Sequence, residues 1–146
     1  MRPGELAAHG PRAAAHARGL RDAVDAVHDG YLHHYGDAQA DGAADRDLAL
    51  LDGDRRYADG LAQLAAIGDL PAIAELADAI SLCAQAHAVG DRELAAAVWE
   101  ASASAVGWGE TPDLVGAKNR VRVGDPTAAD ALRDAADSIR RPSPHG

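Results

Sequence analysis

The chain has 146 residues and a formal net charge of −9, and that length can enclose a core without covalent staples. Its acidity argues against non-specific nucleic-acid binding and against a site on anionic membranes, since both need a basic surface. A single cysteine, Cys83, excludes an internal disulfide and a cysteine-built zinc site.

Hydrophobic residues make up 47% of the chain, yet aromatic residues only 3%, and phenylalanine is absent. Alanine, roughly a quarter of the chain, is the best helix former and lets helices approach closely. β-branched and aromatic residues, which strands favour, are scarce. The expected fold is therefore all-α: one domain over residues 1–146, a compact bundle of about six helices.

In chain order, residues 1–10 and 141–146 have the Pro, Gly and polar content of flexible termini. The first helix is predicted over residues 11–29, with Ala13, Ala17, Leu20, Val24 and Val27 on one face. Residues 30–46 read as an acidic, glycine-rich loop, with Gly30 interrupting the helix before it. Helices over residues 48–67, 70–89 and 92–106 follow, separated by Gly68-Asp69 and Gly90-Asp91. Glycine accepts the left-handed conformation that ends a helix, and aspartate caps the amides that open the next. The helix over residues 70–89 is apolar around most of its circumference, which places it at the centre of the bundle. Thr111-Pro112-Asp113 opens another helix, which ends with Lys118, Arg120 and Arg122. Gly124-Asp125-Pro126 repeats the stop, and a last helix runs to Arg140, burying Leu132, Ala135 and Ile139. The corners are one helix apart, whereas a tetratricopeptide array needs a helix pair with a period near 34 residues.

Four groups of residues are candidates for chemistry. "HDGYLHHYGD" brings His28, Asp29, His33, His34 and Asp37 close in sequence, and Asp29, His33, His34 and Asp37 are candidate ligands for a divalent metal. The run Asp37, Asp41, Asp45, Asp47, Asp52, Asp54 offers oxygen ligands, without the spacing of an EF-hand loop. Cys83 and His87 share a helix face, which permits a thiolate–imidazole contact, although a cysteine in so apolar a helix reads as a core residue. Trp99 and Trp108 flank the end of one helix and are the candidate ligand-binding residues. Asp54 poses a separate question. A helix continuous from Leu48 puts it on the leucine stripe, facing inward, whereas a break at Gly53 makes it an N-cap.

Between Leu50 and Asp91, the pattern Leu50-Leu51, Gly53-Asp54, Leu61, Leu64-Ala65, Gly68-Asp69, Leu76-Ala77 and Ile80 resembles the helical core of trans-polyprenyl diphosphate synthases. The resemblance implies a bundle of the isoprenoid-synthase kind, truncated to about half the usual length. The aspartate-rich motifs that hold magnesium in that family have no counterpart. In "DGDRR", Asp52 and Asp54 are two residues apart and point to different helix faces.

Three functions stay open on these residues. The first is a non-catalytic helical protein acting through a protein partner or self-association, for instance as an accessory subunit. The second is a protein that binds a small molecule or an isoprenoid, and the third is a magnesium-dependent diphosphate enzyme. With no complete catalytic motif, the residues favour a protein without catalysis or resident cofactor. No apolar run has the length of a signal peptide's core or a membrane span, so the expected setting is the cytoplasm.

Overall fold

The computed structural model describes residues 1–35 and 43–142. Among them are seven α-helices and no strand: α1 (Pro3–Ala8), α2 (Ala17–Tyr35), α3 (Ala43–Ile67), α4 (Leu70–Ala88), α5 (Arg92–Trp108), α6 (Pro112–Arg122) and α7 (Ala128–Arg140). A single 3-10 turn, Pro11–Ala13, joins α1 to α2. The all-α bundle expected from composition is what forms. No helix of the described residues is long and apolar enough to cross a membrane.

The Gly-Asp corners fold as their chemistry predicts. Gly68 and Gly90 have φ of 86° and 71°, and the carboxylates of Asp69 and Asp91 accept from the amides of Ala72 and Leu94 at 3.1 and 3.0 Å. Thr111 Oγ1 accepts from Leu114 N in the same way. Gly124 also has a left-handed φ of 74°. Asp125, however, turns to the amide and hydroxyl of Thr127 instead of capping α7.

Two elements differ from expectation at their ends. Pro3–Ala8 is a helix packed on α2 and α5, not a loose terminus. Pro3 starts it, where proline's missing N–H costs nothing, and Gly4 N donates to Asp25 Oδ1 at 2.9 Å. The predicted loop over residues 30–46 is helical at both edges, because α2 runs on through Gly30 to Tyr35 and α3 begins at Ala43. Gly30 does not break the helix because it serves packing. A Cβ there would lie 2.7 Å from Gly53 O. Gly60, seven residues beyond Gly53, meets Ala23 and Val27 as closely. Together these contacts make α2 and α3 a tight antiparallel pair seamed by glycine.

The central helix is α5, not α4. Ala101 to Gly107 are buried without interruption, and α1, α4 and α7 all lie against this helix. Small side chains on every face let three neighbours approach, whereas the leucines around them supply most of the apolar burial. Leu76, Leu82, Leu114 and Leu132, each almost fully enclosed, contribute about 1.5–3 kcal/mol apiece. α4 turns only one side to α5. Leu76, Cys83 and Ala86 are buried, Ile73 and Ile80 are half-buried, and Ala77, Ala84 and Ala88 face outward.

Candidate ligand-binding pocket

The periodicity of two helices places the lining of one cavity. On α2, His28 and Tyr31 are three residues apart and share a face. On α5, Arg92, Ala96, Trp99 and Glu100 do the same over two turns. These faces line an open pocket of about 850 Å³, together with Met1, Arg2, Pro3, Glu5 and Leu6 at the chain's start and Arg140 of α7. Its volume lies within the few hundred to about 1,000 Å³ typical of small-molecule sites.

Three rings form the aromatic part of the wall. His28 meets Trp99 edge-on, with centroids 4.9 Å apart and planes at 83°, and Tyr31 lies 5.3 Å from Trp99. Behind them the Tyr31 hydroxyl is hydrogen-bonded to His87 Nε2 at 2.7 Å, and Tyr35 stacks flat on His87 at 4.2 Å. Burial pushes the Tyr31 phenol up to about 12, so it is neutral at physiological pH. Burial also lowers His28 from its usual 6.5 and Arg2 adds to this, while Asp29 and Asp25 pull the other way.

Two ring nitrogens in this wall, His28 Nδ1 and Trp99 Nε1, are buried without a hydrogen-bond partner. Buried polar groups are almost always paired, and leaving one unpaired costs about 1–3 kcal/mol. By contrast, two arginines of the lining are held firmly. Arg2 pairs with Asp29, and Arg140 donates to Ser104 Oγ at 2.6 Å, Asp137 at 2.9 Å and Glu100 at 3.2 Å.

The sequence candidates take different places. Trp99 lines the pocket, while Trp108 is half-buried near the far end of α5 and outside the lining. Asp29 binds Arg2, and His33 and His34 reach across to α3, where they meet Asp52 and Asp54 at 2.9 Å each. The structure thus spreads Asp29, His33 and His34 over separate pairs, and Asp37, like Asp41, lies outside the described residues. Asp45 and Asp47 are exposed on α3. Asp54 is neither inward nor a cap. α3 is continuous and Asp54 is 64% exposed, because the buried face there runs through Gly53 and Gly60, which meet α2, and leaves Leu50 and Leu51 exposed as well. Cys83 and His87 have different partners, Ala95 O and Tyr31. Burial pushes the thiol up to about 12, consistent with a packing role.

A second polar cluster was not evident in the sequence. Lys118, buried to 2% exposure, donates to Glu75, Asp78 and Glu110 at 2.8, 2.9 and 3.0 Å. Among the described residues, those three carboxylates are the group close enough to share a metal ion, but the lysine ammonium already sits at their centre. Burial raises Glu75 above its usual value even with Lys118 beside it. Burial would lower Lys118, yet its three partners together leave it raised.

The chain matches no protein-family model, no curated protein and no solved structure. Function therefore has to be argued from the site alone.

Proposed function

We propose that the chain is a non-catalytic helical protein that binds a small molecule in the pocket beside Trp99. The observation that supports this most is an open cavity of about 850 Å³ whose lining includes the rings of His28, Tyr31 and Trp99. A ligand with a flat apolar body would cover the three rings.

Tryptophan fluorescence tests the reading directly. With Trp108→Phe as background, Trp99 is the sole reporter, and an aromatic carboxylate at millimolar concentration should quench it. Trp99→Leu in the wild-type background should abolish binding in calorimetry. Unchanged fluorescence across a panel of flat acids and amides would sink the proposal.

A second reading, self-association, is favoured by the outer face of α4. Ala74, Ala77, Ser81, Ala84 and Ala88 are exposed there, and Leu70 and Val89 at the two ends are 70% and 74% exposed. No charged side chain interrupts that line, which is about 28 Å long at helical rise. Light scattering at micromolar concentration should give a dimer mass, and a strict monomer would remove this reading.

A further inference from the structure

We infer that two copies of the chain pair antiparallel through the outer face of α3, with Arg55 of each copy against Asp59 of the other. This surface is distinct from both the pocket and the α4 face. α3 is packed chiefly on α2, and far less on α4. Gly53 and Gly60, seven residues apart, turn toward α2. On the opposite side of the helix run Leu48, Leu51, Arg55, Ala58, Ala62 and Ala65, all exposed, the two leucines at 64% each. Their spacing alternates three and four, the pattern by which two helices interlock side by side. The seam extends for about 26 Å of helix.

The seam is lopsided, and that selects a second copy as its occupant. Leucines hold its N-terminal half and alanines its C-terminal half. Turned end over end, a second copy sets Leu48 against Ala65 and Leu51 against Ala62, large side chain on small in each layer. The two-fold axis repeats both contacts. In that register Arg55 falls opposite Ala58 and level with Asp59 of the other copy. Charge supports the same arrangement. Neither Arg55 nor Asp59 has an ion pair among the described residues, whereas Asp52 and Asp54 beside them are bonded to His33, Arg56 and His34. The axis makes two Arg55–Asp59 pairs in each dimer. A parallel pair would instead set Arg55 against Arg55, like charge on like.

Light scattering or sedimentation on the intact chain, from about 10 to about 500 μM to suit a small interface, tests this. The wild type should pass from monomer to dimer, and Leu51→Glu should stay monomeric. Arg55→Asp and Asp59→Arg should each weaken the dimer about tenfold, because each reversal puts like charges together at both pairs. Arg55→Asp combined with Asp59→Arg should recover most of that loss. Ala77→Glu with Ala84→Glu on α4 should leave this dimer intact. All of these positions are exposed, and far-ultraviolet circular dichroism checks that each variant folds. If Leu51→Glu does not fold, the charge-exchange series decides. A wild type that stays monomeric throughout overturns the inference together with the α4 reading. A dimer that survives Leu51→Glu and is lost in the α4 variant overturns the inference and leaves the α4 reading standing. Weakening by the single reversals without recovery in the combined variant overturns the antiparallel register, and the inference with it.

Discussion

Lysine occurs once in the chain, at Lys118, while every other Lys/Arg position is arginine. The structure gives a reason for the exception. An ammonium offers three donors around a point, and Lys118 gives one each to Glu75, Asp78 and Glu110. A guanidinium is a flat fork and cannot serve three converging carboxylates equally. Lys118→Met should cost about 3–5 kcal/mol in urea unfolding, because Glu75 is left buried and charged without compensation. Lys118→Arg should also be destabilised, by a smaller amount, and wild-type stability in either variant would contradict this account. The histidines act at acid pH. His28 and His87 are both lowered by burial in the folded state, so the unfolded chain binds protons first as pH falls through about 6.5. Their contribution is intact above that value and is lost on going below it. The urea midpoint should therefore drop between about pH 7.5 and 5.5, and His28→Gln should flatten that slope. Of the pocket, Trp99 was legible, since an aromatic stands out where aromatics are scarce. That Arg2 and Arg140 line the same pocket was not, because those residues are brought together only by tertiary folding.

At the scale of helices, the α2–α3 seam is the least forgiving feature. A Cβ at Gly60 would lie 2.6 Å from Val27 Cγ2 and 2.7 Å from Ala23 O, and one of those contacts is backbone. Gly60→Ala should therefore lose about 1–3 kcal/mol by thermal or urea unfolding, against the usual gain from alanine inside a helix. A stabilised variant would show that the helices separate easily. The corners at Gly68-Asp69 and Gly90-Asp91 could be read from sequence because capping is local chemistry. Gly30, Gly53 and Gly60 could not, because a glycine within a helix signals a breaker unless the neighbouring helix is known. The same limit reversed α4 and α5. α4 has more leucine and isoleucine, but the run Ala101–Gly107 of α5 is small enough for three helices to surround it.

For the molecule as a whole, the proposed binding and association surfaces are separate. The pocket is built from the N-terminal segment, α1, α2, α5 and α7, and the uncharged face belongs to α4. Ala77→Glu with Ala84→Glu, both at exposed positions, should shift a dimer held by that face to monomer in light scattering while leaving pocket binding unchanged. Loss of binding in that variant would mean that the two surfaces are coupled.

The aromatic cluster has a practical consequence for spectroscopy. Of five aromatic residues excluding histidine, Tyr31, Tyr35 and Trp99 are in mutual or chained ring contact, and Tyr57 joins them through His34. Trp108, nine residues from Trp99 along α5, is about 13 Å away. Near-ultraviolet circular dichroism and tyrosine-to-tryptophan energy transfer will thus report chiefly on one end of this molecule. The alanine-rich remainder will be visible only in the far ultraviolet. Following both bands through unfolding turns this uneven distribution of chromophores into a test of whether the pocket end melts with the rest of the bundle or ahead of it.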